Sequence, residues 1–254
     1  MIKVVILGAG NVAFHLTNFL LKNKKVALLQ VYNKNINKID YLKNAVSVTD
    51  KISNLNKTGD IYIIAVSDDA ISSLSNQLML PNKLVVHTSG NVSINELQSK
   101  SGKGVFYPLQ SFSKNKNINF KNIPFCIEAD TSKNLFLLKT FTKIISDTYF
   151  LINSEQRKQL HLAAVFVNNF VNHLYYLGNE ICEENNIPFE ILNPLIKETA
   201  NKIEELSPFN AQTGPAKRND KETMKKQLAM LPKKSKEIYT LLSNSILETY
   251  GKKL

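Results

Sequence analysis

The chain has 254 residues, 43% hydrophobic and 21% charged, an ordinary globular composition that excludes collagen-like, disordered and disulfide-scaffold classes. That length suits one large or two modest domains at roughly 100–200 residues each. The formal charge is +11, yet Arg157 and Arg218 are the only arginines among the 32 basic residues; lysine scattered along a chain marks a solvated surface, whereas a nucleic-acid face clusters its charge and uses Arg forks, so no nucleic-acid partner is expected.

Ile2–Leu7 is a continuous apolar run, as a strand buried on both faces requires. A helix is expected over 11–23. Further strands are expected at Val26–Tyr32, 46–48, 60–66, Leu84–His87, 104–107, 125–128 and 148–152. Strands separated by helical stretches imply right-handed crossovers and a mostly parallel sheet. After residue 152 the strand pattern stops. Residues 161–177 are apolar on nearly every face, which predicts a deeply buried helix. Pro188, Pro194, Pro208, Pro215 and Pro232 divide the rest into shorter helices. The expected division is an N-terminal domain of residues 1–152 and a helical domain of residues 153–254.

Cys126 and Cys182 lack metal-site spacing, and the four histidines do not supply it; reduced structural thiols and no metal are expected. No apolar run reaches the roughly 18 residues of a membrane span, and the N-terminus lacks the pattern of a signal peptide. A cytoplasmic protein with no membrane partner is the expectation.

Gly8-Ala9-Gly10-Asn11-Val12-Ala13 reads G-x-G-x-x-A, directly after a strand and opening a helix. Gly8 permits a tight turn, Gly10 lets the backbone approach a pyrophosphate, and Ala13 allows close helix–strand packing. The amides of Asn11 and Val12 at the helix start attract the anion. A tight strand–helix turn with no ligand would read the same way. The second strand ends Tyr32-Asn33-Lys34, where an NAD-selective site carries Asp or Glu for the ribose 2′-hydroxyl. A neutral amide and a cation there favour the 2′-phosphate of NADP over NAD, unless Lys34 is one more surface lysine; Lys38 is a second, weaker candidate. The fourth strand delivers Val66, Ser67 and Asp68 to the ligand edge near the nicotinamide ribose, with Asp69 as the cap of the next helix. The fifth ends His87-Thr88-Ser89-Gly90, which suits either ligand binding and proton relay or a hydroxyl-supported turn. His87 joins the cofactor-binding set and Ser89 the substrate set. Tyr107-Pro108-Leu109-Gln110-Ser111 is another polar cluster at the same edge.

On the apolar helix, His161, Asn168, Asn169, Asn172 and Tyr176 fall roughly on one side. Buried polar groups without partners cost about 1–3 kcal/mol each, so the stripe points to a cleft between domains, a ligand or ordered water, or else to core hydrogen bonds or a polar dimer seam. The two arginines mark places where a lysine-rich chain uses a planar fork. Arg218 sits in a turn-rich stretch, 212–220, suited to gripping an anion, with Asp220 as a helix cap.

Together these residues resemble a bacterial family of proposed NADP oxidoreductases in which a Rossmann-like domain is joined to a DUF2520 domain. The matching pieces are residues 8–13, 65–68, 87–90, His161-Leu162-Ala163-Ala164-Val165-Phe166 with Asn169, and Thr213-Gly214-Pro215 through Asp220. They span nearly the whole chain. The family is similar to pyrroline-5-carboxylate reductases, ketopantoate reductases and β-hydroxyacid dehydrogenases. The resemblance implies an α/β domain with a doubly wound, mostly parallel sheet, followed by an all-α domain of the 6-phosphogluconate dehydrogenase C-terminal-like kind. It also implies a homodimer formed through the helical domain. The implied activity is hydride transfer between NADP and a small carbonyl or imine substrate in the cleft between the domains, with Ser89, His161 and Asn169 as the substrate-binding and proton-relay group. One position departs from the relatives: β-hydroxyacid dehydrogenases carry a lysine ahead of paired asparagines, and aligning Asn168-Asn169 with that pair puts Val165 at the lysine. Either another donor serves (His161, His87 or a water), or the chemistry is imine reduction, or the chain is a catalytically silent NADP-binding sensor or scaffold.

Overall fold

Alternate residues of the first strand enter two different cores. In β1 (Ile2–Leu7), Val4 and Ile6 join one apolar cluster while Val5 and Leu7 join another. β4 (Ile61–Ile64) repeats this, with Ile61 and Ile63 on one side and Tyr62 and Ile64 on the other. A strand covered on both faces has no solvent side to leave polar, which is why these segments read as unbroken apolar runs. The remaining strands are β2 (Val26–Tyr32), β3 (Ser47–Thr49), β5 (Leu84–His87), β6 (Gly102–Pro108), β7 (Phe125–Ala129) and β8 (Tyr149–Leu151). They form one sheet in the order β3-β2-β1-β4-β5-β6-β7-β8. Neighbours run parallel except β6 and β7. Strand edges fall within a residue or two of the positions expected. This computed structural model describes residues 1–251; residues 252–254, the end of the expected helical domain, lie outside the described residues.

The winding reverses between β1 and β4, with β2 and β3 on one side and β5 onward on the other. Connections leave the carboxyl ends of β1 and β4 in opposite directions, and that opens a crevice. α1 (Asn11–Lys22) crosses from β1 to β2, burying Ala13, Leu16, Thr17 and Leu20 along one helical stripe. α2 (Asp68–Asn76) follows β4, and α3 (Ser132–Ile145) follows β7. The N-cap of α2 is Ser67, not the expected Asp69. The helix starts two residues earlier, and Asp69 sits inside its first turn, where a carboxylate still meets the positive helix end.

The chain divides into two compact units, Met1–Asn168 and Asn169–Leu254. The first includes α4 (Ser154–Ala164), opened by a capping box between Asn153 and Gln156. A π-helical segment, Val165–Phe170, comes next. The second unit is all-α among its described residues: α5 (Val171–Glu184), α6 (Asn193–Glu205), α7 (Pro208–Ala211), α8 (Lys221–Met230) and α9 (Lys233–Tyr250). Pro194 and Pro208 stand in the first turns of α6 and α7, and Pro232 at the N-cap of α9. Asp220 caps α8 as expected, accepting the Thr223 N–H at 3.1 Å. No helix of the described residues is long and apolar enough to cross a membrane.

The stretch 161–177 is not deeply buried. Leu162 is 53% and Val167 73% exposed, and Asn168, Asn169, Asn172 and Tyr176 are exposed as well. An all-round apolar pattern states that a surface needs covering; it does not state that the same chain covers it. Exposed amides carry no desolvation cost, so the polar stripe gives no evidence of buried partners.

Candidate functional site

The chain leaves β1 at Leu7 and enters α1 at Asn11. Gly8 makes that turn at φ +139°, donating its N–H to the Tyr32 carbonyl at 2.8 Å. A Cβ there would stand 2.0 Å from the Ala65 carbonyl oxygen, at the end of β4. Gly10 is the N-cap of α1. A Cβ on it would meet nothing within 4 Å, no side chain caps the helix, and its first turn holds no acid. The orphan amides of that helix end therefore stay open to an anion.

A cavity of about 550 Å³ opens over this turn. Ala9, Gly10, Asn11 and Val12 line it from the turn, and Tyr32, Asn33, Lys34 and Lys38 from beyond β2. Ala65, Val66 and Ser67 close it beyond β4, Thr88 beyond β5, and Ala70, Ser73, Leu74 and Gln77 along α2. Among the described residues no carboxylate pairs with Lys34 or Lys38. Asn33 commits its amide nitrogen to the Asn35 carbonyl at 2.8 Å. Empty space over Gly10, an uncapped helix start and two unpaired cations at the edge of β2 fit the pyrophosphate and 2′-phosphate of a dinucleotide.

Of the expected cofactor residues, Gly10, Asn11, Val12, Asn33, Lys34, Val66 and Ser67 line this cavity. Gly8 and the buried Ala13 shape it from behind. Asp68, the first residue of α2, does not line it, and neither does His87. Strand alternation puts His87 on the same face as Val85, inside the sheet's second core. There its Nδ1 accepts the Ser89 N–H at 3.2 Å. Burial, followed by the Arg157 charge, pushes its pKa down to about 3, so the ring is neutral and enclosed. The Asn11 side chain is also engaged elsewhere: its Nδ2 donates to the Phe112 carbonyl at 2.8 Å, and His15 Nε2 donates to the Ser113 carbonyl at 2.9 Å. α1 thereby grips the loop after β6, a contact no local pattern announces.

A second cluster lies just past the carboxyl end of β5. Tyr107 Oη and His161 Nδ1 are 3.0 Å apart, with the rings edge-on at 5.9 Å. Gly90 supplies the room, since a Cβ on it would lie 2.7 Å from His161 Nδ1 and 2.8 Å from Tyr107 Cζ. Burial raises the Tyr107 pKa to about 12, so the phenol keeps its proton. Ser89 serves the turn, its Oγ accepting the N–H groups of Asn91 and Val92 at 3.0 Å each. Asn169 is exposed in the π-helical segment; segments of that kind are rare and recur at functional sites. Tyr107 was legible only as one polar residue at a strand end.

Arg157 uses its fork inside the protein. It is fully buried; Nη1 donates to Glu128 Oε2 at 2.7 Å, and Nη2 donates to the Val92 carbonyl and to Ser154 Oγ. Three polar groups at fixed angles require a planar donor set, which lysine lacks.

Residues 3–91 match the family described as NADP oxidoreductase, coenzyme F420-dependent, and residues 123–246 match the domain of unknown function DUF2520. The crystal structure of a proposed NADP oxidoreductase from Bacteroides fragilis is 37% identical over 97% of this chain and 98% of that one, with a TM-score of 0.88. The chain belongs to this family of NADP oxidoreductases, a Rossmann-like domain joined to a DUF2520 domain. Two further solved structures share the family's fold. A Thermotoga maritima protein is 24% identical over 98% of each chain, with a TM-score of 0.73. An imine reductase from Myxococcus stipitatus in complex with NADP+ is 14% identical over 97% of this chain and 92% of that one, with a TM-score of 0.66. No curated protein matches the chain in sequence.

Proposed function

We propose that this NADP oxidoreductase acts on a small carbonyl or imine compound. When bound, the nicotinamide of NADP supplies or accepts a hydride at the substrate carbon. The chain's own residues bind, orient and handle protons. Gly8, Gly10 and Ala13 shape the pyrophosphate cradle, and the amides of Asn11 and Val12 meet its charge. Lys34 with Asn33 reads the 2′-phosphate. Val66 and Ser67, which line the cavity, flank the nicotinamide ribose, and His161 moves the proton of the substrate's polar group. The observation that carries this reading is the cavity over Gly10 with Lys34 at its rim. Calorimetry tests it: wild type binds NADPH more tightly than NADH. Lys34→Asp lowers NADPH affinity by about tenfold or more, the scale of one lost charge-assisted contact of about 1.5–3 kcal/mol. It leaves NADH unchanged or improved, and equal losses for both coenzymes would remove the assignment.

Val165 favours a second reading, a silent NADP-binding sensor or scaffold, because valine cannot donate the proton that lysine gives in β-hydroxyacid dehydrogenases. NADPH that binds tightly yet is never oxidised by keto acids or cyclic imines would establish it.

We further infer that the chain works as a homodimer through its helical unit. Ile191 is 65%, Leu195 62% and Leu241 71% exposed there, a density of bare apolar side chains that a monomer in water rarely carries. Sedimentation velocity is expected to give twice the 28.7 kDa of one chain; a monomer at micromolar concentration would refute it.

A further inference from the structure

Tyr107 has a single side-chain hydrogen-bond partner among the described residues, His161 Nδ1 at 3.0 Å. The phenol is 9% exposed, and a buried hydroxyl proton without an acceptor costs about 1–3 kcal/mol. A phenol that donates across this contact makes Nδ1 the acceptor. A neutral imidazole whose Nδ1 accepts carries its hydrogen on Nε2. His161 is only half-buried, so this N–H has a way out. Two features hold the pair in place. Gly90 leaves the space both rings occupy, and Arg157, one turn earlier on the same helix, ties α4 to Val92 and Glu128.

We propose that Tyr107 is a positioning residue that fixes His161 as the Nε2–H tautomer and stands behind it as the proton reserve for an oxygen substrate. This rests on the hydride-transfer reading above and narrows it to carbonyl compounds. A carbonyl carbon that gains a hydride leaves its C=O π electrons on oxygen as an alkoxide. The alkoxide takes the Nε2 proton and Nδ1 takes the Tyr107 proton; water then reprotonates Nε2 while Nδ1 returns its proton to the phenolate, which restores the resting pair. An alkoxide is a far stronger base than a phenolate, so the shift runs downhill, and the high pKa of Tyr107, about 12, keeps the reserve loaded between turnovers. A protonated imine behaves differently: hydride addition already yields a neutral amine, and no relay is required.

The test reads the tautomer directly, without coenzyme. In protein carrying 15N-labelled histidine, long-range 1H–15N spectra are recorded, with the His161 signals identified by their loss in His161→Gln. Wild type is expected to show His161 protonated on Nε2, with Nδ1 a hydrogen-bonded acceptor. Tyr107→Phe keeps the ring and moves Nδ1 to a free-acceptor position or mixes the tautomers. With NADPH and pyruvate as the probe, kcat of Tyr107→Phe falls about 100-fold, the lower scale of proton-transfer catalysis, while NADPH affinity holds within about twofold. With 1-pyrroline as the probe the loss is smaller by about tenfold. His161 protonated on Nδ1 in wild type, or spectra unchanged by Tyr107→Phe, would overturn the proposal, as would equal losses on the two probes. Failure of wild type to bind NADPH removes the enzymatic reading on its own, and the spectra still decide the tautomer. Should neither probe be turned over, the spectra decide alone.

Discussion

Arg157→Met is expected to lower the free energy of unfolding by about 3 kcal/mol, the lower end of the 3–5 kcal/mol cost of removing one partner from a buried ion pair. Urea denaturation measures it. Methionine replaces the aliphatic stem, so the loss reflects polar groups rather than a large void. Glu128 Oε2 keeps only the Ser154 hydroxyl at 2.7 Å, and the Val92 carbonyl loses its donor. The Glu128 side chain is 18% exposed, and this residual water contact places the expectation at the low end. Arg157→Lys is not expected to restore stability, because a single ammonium cannot satisfy three acceptors held in fork geometry. Adding Glu128→Gln to Arg157→Met is expected to recover part of the loss by discharging the stranded carboxylate. A double variant whose loss equals the sum of the two single losses would show the pair to be uncoupled. The same clamp joins the turn that carries Gly90 to the helix that carries His161, so Arg157→Met also loosens the Tyr107–His161 contact.

The sequence carried the sheet because its signals are local. A run such as Ile2–Leu7 states its own burial, and Gly8, Gly10 and Ala13 state a turn that only small residues make. The preference for Lys34 over an acid is likewise a fact about one position. Pairings between distant residues were not legible. Tyr107 and His161 stand 54 positions apart, and nothing at either one names the other. The choice of arginine at 157 announced a fork, but not that Glu128, 29 positions away, would receive it. His87 was within reach: counting alternate positions from Val85 puts it in the core rather than at the ligand edge. The exposure of 161–177 was not, since an apolar pattern is the same whether the covering surface belongs to this chain or to another.

The two glycines of the turn are expected to fail in different ways, and the difference separates fold from ligand. Gly8→Ala forces a Cβ against the Ala65 carbonyl at 2.0 Å in a backbone with φ +139°. The strained backbone alone costs on the order of 1–3 kcal/mol, and the clash adds to it, because Ala65 is itself tied to Leu7 by a 2.8 Å hydrogen bond and cannot retreat without parting β1 from β4. Loss of about 3 kcal/mol or more is expected, together with loss of NADPH binding. Gly10→Ala meets nothing within 4 Å, so its unfolding free energy is expected to stay within about 1 kcal/mol of wild type, the difference between alanine and glycine at an N-cap. Its methyl group nevertheless occupies the space over the open helix end. NADPH affinity is therefore expected to fall by about tenfold or more, or about 1.4 kcal/mol per decade, without a change in the thermal transition of the free protein. A Gly10→Ala variant that binds NADPH like wild type would put the pyrophosphate somewhere other than over this turn. A Gly8→Ala variant as stable as wild type would mean that the contact with Ala65 does not set the spacing of the two central strands.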